Sequence, residues 1–261
     1  YLLLCEAPPD DGARVVSTLI ITGASAGIGK ALAWEFAKRG CRLGLTGRRL
    51  EALETLQVEL QQQTGVEVHT ARLDVDDTDS VELSLLDLFA ALGEVDSVII
   101  NAGINNFTHV GHGQLADETA IIRTNLLGAM ATANAAVAYF LKRGHGQIVG
   151  ISSLASLQAI PSQAAYCASK AGISMYLDAL RIEHKDKHID VTQIRPGFIK
   201  TEIMENIDRY PFAISAEKAA SEMAKAILAR RKDVFVPRFP WTLFRPLLGH
   251  LPDRIWQRFK S

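Results

Sequence analysis

Residues 19–30, LIITGASAGIGK, place three glycines where an apolar strand must turn into a helix. Ile20 and Ile21 read as the end of a short buried strand. Gly23, Gly27 and Gly29, with Ser25 among them, let the backbone turn sharply and approach a ligand closely. The helix that begins near Ile28 then offers its unpaired N–H groups to an anion. The stretch reads as a phosphate-binding turn. Its G-x-x-x-G-x-G spacing is neither the G-x-G-x-x-G of many dinucleotide folds nor a P-loop, because Lys30 is followed by Ala31 and the magnesium-binding hydroxyl is missing.

Outward from this turn, strand-like and helix-like stretches alternate with short connections. Strands are expected near 17–22, 41–46, 66–73, 95–101, 146–152, 188–194 and 233–236, and helices near 27–39, 49–63, 78–91, 115–142, 163–185 and 215–230. This is the pattern of a single α/β domain, a doubly wound seven-stranded parallel sheet that binds ligands at the carboxyl ends of its strands. At 261 residues, with 48% hydrophobic and 22% charged, the chain suffices for one full core. A net charge of -1 excludes a general basic surface for nucleic acid. Cys5, Cys41 and Cys167 are scattered, with no C-x-x-C and no histidines at metal spacing, which points to a reducing, cytoplasmic setting and to no metal. No run of 18 apolar residues is present. The opening sixteen residues lack a positive n-region and read as an extension.

The second strand runs into Gly47-Arg48-Arg49, where a dinucleotide fold decides between cofactors. An acid at position 47 would hold a ribose 2′-hydroxyl and repel a 2′-phosphate. Glycine followed by two guanidinium groups instead favours NADP(H) over NAD(H). Asp74, at the end of the third strand, is placed to accept the adenine amino group, although such an Asp also caps helices. Asn101, Ala102 and Gly103 end the fourth strand in small residues that let the backbone lie against a ribose. His109 and His112, without carboxylate or cysteine partners, read as surface residues.

Ser152 and Ser153 close the fifth strand, and Tyr166-Cys-Ala-Ser-Lys170 begins 13 residues after Ser153. Tyr166 and Lys170, at i and i+4, share one helical face. A free tyrosine titrates at about 10, so proton transfer near pH 7 asks for about 4 kcal/mol of preferential phenolate stabilisation. A neighbouring ammonium and a nicotinamide cation in a partly dry cleft suit that need.

With these residues together, the chain from about 17 to 236 resembles the short-chain dehydrogenase/reductase family. T-G-x-x-x-G-x-G is met by Thr22, Gly23, Gly27 and Gly29, with Ile28 between the last two; N-A-G is met by Asn101, Ala102 and Gly103. The resemblance implies a Rossmann-type fold and a catalytic set of Asn125, Ser153, Tyr166 and Lys170. It also implies a nicotinamide-contacting segment at Pro196, Gly197, Ile199 and Thr201. Tyr166 would exchange a proton with a carbonyl or alcohol oxygen, Ser153 would polarise the same oxygen, and Lys170 would bind the ribose and depress the tyrosine pKa. Asn125 would keep a water for Lys170. Ile100 departs from the many members that carry an asparagine there, outside the catalytic set.

Residues 17–236 are thus expected to form the dinucleotide-binding catalytic domain, with 198–214 as a substrate lid. Met204, Ile207, Tyr210 and Phe212 would give that lid an apolar wall, suggesting an apolar carbonyl or secondary alcohol as the small-molecule substrate. Residues 237–261 form a basic, aromatic tail whose Trp241, Trp256 and arginines suit a subunit contact in a homodimer or homotetramer, or peripheral membrane contact. Two rival readings are a non-catalytic nucleotide-binding protein and a membrane- or protein-docking module. The first usually shows a lost tyrosine or lysine, and both are present here.

Overall fold

The computed structural model describes residues 17–201 and 212–248. The extension over 1–16, the lid residues Met204, Ile207 and Tyr210, and the tail beyond 248, Trp256 included, lie outside the described residues. Nine strands are described: β1 (Thr18–Thr22), β2 (Arg42–Gly47), β3 (Val68–Arg72), β4 (Ser97–Ile100), β5 (Gly146–Ile151), β6 (Ile189–Pro196), β7 (Ile199–Lys200), β8 (Ile214–Ser215) and β9 (Asp233–Val236). Seven of them form one sheet in the order β3-β2-β1-β4-β5-β6-β9, every neighbouring pair parallel. The order reverses between β1 and β4. Chains leave those two strand ends in opposite directions, so a crevice opens above them.

The helices are α1 (Gly27–Lys38), α2 (Leu50–Thr64), α3 (Thr78–Leu92), α4 (Leu115–Ile122), α5 (Ala129–Arg143), α6 (Ala164–Glu183), α7 (Ala216–Leu228) and α8 (Arg238–Phe244). Strand side chains alternate between two cores. Leu19, Ile21, Ile99 and Val149 pack with Phe36 of α1, Leu56 of α2 and Met223 of α7. Ile20, Val98, Ile100 and Ile148 pack on the other face with Leu85 of α3, Phe140 of α5 and Leu177 of α6. This period-2 division is why near-continuous apolar strands are stable here: each side chain finds a helix-covered face. Each fully buried Leu, Ile or Phe contributes about 1.5–3 kcal/mol relative to exposure.

Two features differ from the sequence expectation. The single helix expected over 115–142 is broken by a π-helical segment at Arg123–Gly128. The wider turn aims Thr124 at Asp76, whose carboxylate accepts its hydroxyl at 2.7 Å, and turns Asn125 into the interior. Gly128 is required where this segment passes β3's exit, since a Cβ there would stand 2.7 Å from the Val75 carbonyl oxygen. In addition, β7 and β8 pair through Ile199 with Ile214 and Lys200 with Ser215, fastening together the two ends of the expected lid.

Candidate active site

A cavity of about 500 Å³ lies at the carboxyl ends of β1, β2, β4, β5 and β6. At one end it is lined by Gly23, Ser25, Gly27 and Ile28 of the glycine turn, with Arg48, Arg49 and Asp74 beside them. Asn101, Ala102 and Gly103 form its middle, and Ser153, Tyr166 and Lys170 its far wall, next to Pro196, Gly197, Ile199 and Thr201. The candidate residues Gly29 and Asn125 do not line it. Both lie behind the wall and shape it.

The glycine turn is held by sterics as much as by conformation. Gly23 has φ +67°, and a Cβ there would sit 2.8 Å from the Ala102 Cα. At Gly29 a Cβ would come within 2.3 Å of the Gly23 carbonyl oxygen and 2.6 Å of Asn101 Nδ2. That amide nitrogen donates to the carbonyls of Thr22 at 2.9 Å and Gly23 at 3.1 Å, tying β4 to the turn. Thr22 Oγ1 completes the clasp by accepting from the backbone N–H of Asn101 at 3.0 Å and of Ala102 at 3.2 Å. Ala26, which precedes α1, supplies no side-chain cap, so the first N–H groups of the helix are left for an anion from outside. A glycine cradle, an uncapped helix start and two guanidinium groups fit the pyrophosphate and phosphate of a dinucleotide. Arg49 Nη2 donates to Ser25 Oγ at 3.2 Å, placing its guanidinium against the turn. Asp74 lines the crevice and accepts from the Asp76 N–H at 3.2 Å in the turn before α3, whose own N-cap, Asp77, makes no side-chain cap bond.

Ser153 leaves β5 in extended conformation, and its Oγ accepts from the Ala155 N–H at 3.1 Å. Tyr166 and Lys170 project from the first turns of α6. Lys170 Nζ lies 5.8 Å from the Tyr166 ring centre and donates to the Ile151 carbonyl at 2.9 Å. Lys170 is only 6% exposed, and burial lowers its pKa to about 8. Burial also pushes the Tyr166 phenol above its ordinary range, outweighing a side-chain hydrogen bond with Ser153 that pulls it down. Lys170 was expected to depress this pKa. In the protein alone burial dominates both groups, and the phenol stays protonated at neutral pH.

The lysine shift carries a sign. Between pH 8 and 10.5 the unfolded chain binds the proton and the native site does not, so the Lys170 contribution to stability improves as pH rises through that window. Below it, holding the ammonium buried costs about 3 kcal/mol, offset by about 1 kcal/mol from the bond to Ile151. Lys170→Met is therefore expected to be about 1–2 kcal/mol more stable than the parent at pH 7. Urea unfolding should show that advantage fading toward pH 10.

Asn125 Oδ1 accepts from the Ile104 N–H at 2.8 Å, and its Nδ2 donates to the Ile104 carbonyl at 2.8 Å and to Ser169 Oγ at 3.3 Å. It thereby braces the chain just after Asn101-Ala-Gly. Sequence reading missed these partners, and also Ser152 and Thr124, which line the cavity. His109 and His112 are exposed, and His109 Nδ1 meets Ser162 Oγ at 3.3 Å. Trp241 does not face outward. It is 8% exposed, lies edge-on to Phe198 and Phe212 at 6.1 and 5.9 Å, and covers Gly197, where a Cβ would be 2.5 Å from its Nε1. The tail thus begins as a strap over the segment expected to contact nicotinamide.

The family model described as short chain dehydrogenase matches residues 17–210. An uncharacterized oxidoreductase of Mycobacterium tuberculosis is 35% identical over 243 residues, covering 92% of this chain and 96% of its own. An alcohol dehydrogenase from Thermococcus sibiricus, solved with 5-hydroxy-NADP, superposes with a TM-score of 0.77 at 27% identity over 84% of this chain and 95% of that one. A short chain dehydrogenase/reductase from Burkholderia phymatum in complex with NAD shares the fold, with a TM-score of 0.81 at 21% identity over 94% of this chain and 96% of that one. On the family match and the relative's coverage, the chain belongs to the short-chain dehydrogenase family and is an NAD(P)-dependent oxidoreductase.

Proposed function

We propose that this enzyme transfers a hydride between NADP(H) and an apolar carbonyl compound or its secondary alcohol, with Tyr166 as general acid and base. The observation that carries the reading is convergence: Ser153, Tyr166 and Lys170 line the same cavity as the glycine turn, Arg48 and Arg49. When bound, the nicotinamide supplies or takes up the hydride. Ser153 Oγ orients the substrate oxygen, and the Tyr166 hydroxyl gives it a proton. Because burial keeps that phenol protonated, the resting side chain is set for carbonyl reduction. Lys170 holds the ribose hydroxyls and returns a proton to Tyr166. Asn125 Oδ1 and Nδ2 are engaged by Ile104, so a water kept for Lys170 is held by its backbone carbonyl or the remaining Oδ1 lone pair.

Screening apolar ketones and alcohols with both cofactors, followed by nicotinamide absorbance, tests the activity. For the cofactor, each guanidinium contact to the 2′-phosphate is expected to contribute about 1.5–3 kcal/mol, or roughly one to two decades of affinity. NADPH should therefore bind at least tenfold more tightly than NADH by roughly that margin, and Arg48→Ala with Arg49→Ala should erase the difference. Equal binding by the parent enzyme would overturn the assignment.

The same reading makes the enzyme a cytoplasmic homodimer or homotetramer. Met175 and Ile182, seven residues apart on α6, are exposed and give an apolar stripe for a second copy. Exposed Phe239 and Leu243 of α8 lie near Arg238 and support the alternative of peripheral membrane contact. Solution size and co-sedimentation with anionic vesicles separate the two. No helix among the described residues is long and apolar enough to cross a membrane.

A further inference from the structure

β6 buries Ile189, Val191 and Ile194, yet its next-to-last residue is Arg195, which is only 4% exposed and does not line the cavity. A guanidinium so deeply placed needs partners in several directions, and it has them. Its Nε donates to Asp233 Oδ1 at 3.0 Å, at the start of β9, and the other oxygen of that carboxylate meets Arg245 at 3.3 Å. Its Nη1 donates to Ser156 Oγ and, at 3.2 Å, to Ser174 Oγ.

Both serines lead back to the proposed proton-transfer groups. Ser156 Oγ donates to the Ser153 backbone carbonyl at 2.6 Å, closing the short turn that follows Ser153. Ser174 is one turn of α6 beyond Lys170, and its Oγ shares a 2.6 Å hydrogen bond with Ser152 Oγ, which in turn donates to the Lys170 carbonyl at 3.3 Å. A rigid planar fork thus joins the turn carrying Ser153 to the helix carrying Tyr166 and Lys170, with Asp233 fixing the fork from behind.

We propose that Arg195 is a positioning residue, holding the Ser153 hydroxyl in register with the Tyr166 hydroxyl by bracing the 154–156 turn against α6. The inference rests on the proton-transfer reading of Ser153 and Tyr166. Misplacement by about 1 Å of a group that orients the reacting oxygen costs up to 10²-fold in rate without requiring a change in ground-state binding. Cofactor binding at the distant glycine turn should not respond.

Arg195→Lys keeps a cation for Asp233 but loses the fork. Ser156→Ala removes only the link to the turn, and serves if the lysine variant folds poorly. Each is expected to lower kcat about tenfold, with KM and the NADPH dissociation constant within about twofold of the parent. In a Ser153→Ala background the same substitutions should lower kcat by less than about twofold further, because the group they position is gone. An equal tenfold loss in both backgrounds, or a loss confined to cofactor affinity, would overturn the inference. Tyr166→Phe is measured alongside: if it retains normal turnover, the underlying reading fails, whereas normal kcat in Arg195→Lys and Ser156→Ala beside an inactive Tyr166→Phe defeats the positioning role alone.

Discussion

Tyr166→Phe is expected to fold and to bind cofactor like the parent while losing at least 10²- to 10⁴-fold in kcat, the range that removal of a general acid produces. The ring stays in place, and only the hydroxyl that meets Ser153 is removed. Because the ring is retained and Tyr166 belongs to neither core, the melting temperature should move little. Stopped-flow turnover beside cofactor titration checks both halves. A variant with more than a tenth of parental activity would remove Tyr166 from the proposed mechanism.

Gly29→Ala should act on the other end of the site. Its new methyl would collide with the Gly23 carbonyl oxygen and Asn101 Nδ2, so either the turn opens or Asn101 gives up its bonds to Thr22 and Gly23. Overpacking and lost hydrogen bonds together are expected to cost about 2–4 kcal/mol, a fall of roughly 5–15 °C in Tm for a domain of this size. NADPH affinity should drop by at least about tenfold as the N–H cradle spreads. Gly40→Ala is the control: Gly40 also has positive φ, at +82°, but nothing stands within 4 Å of its Cβ position. It should cost only the left-handed backbone, about 1–2 kcal/mol, and leave cofactor binding unchanged.

These two ends of the cavity were legible in the sequence because each is written locally. A glycine spacing, an i, i+4 pair and alternation of apolar runs are short-range signals, and they place the seven-stranded sheet and, together with the family motifs, the two ends of the cavity lining but not Thr46, Thr124 or Ser152. What escaped is non-local. The partner of Asn125 is a backbone 21 residues away, and the π-helical segment that turns it inward has the same apolar periodicity as an ordinary helix. Arg195 drew no reading from the sequence, since nothing in Gln193-Ile-Arg-Pro announces that Asp233, Ser156 and Ser174 close around it. Composition counted the rings and cations of the tail but not their directions, so Trp241 read as an interface residue although it is buried over Gly197.

That placement of Trp241 gives the enzyme a built-in optical reporter. Its indole is enclosed by Leu154, Phe235 and Leu248, and among the described residues its Nε1 has no hydrogen-bond partner. An indole in so apolar a setting emits to the blue of one in water. Reduced nicotinamide absorbs where indole emits, and Gly197, which lines the cavity, is the residue that Trp241 covers. With Trp34 and Trp256 replaced by phenylalanine, the remaining emission is expected to report occupancy of the far end of the site without a turnover substrate.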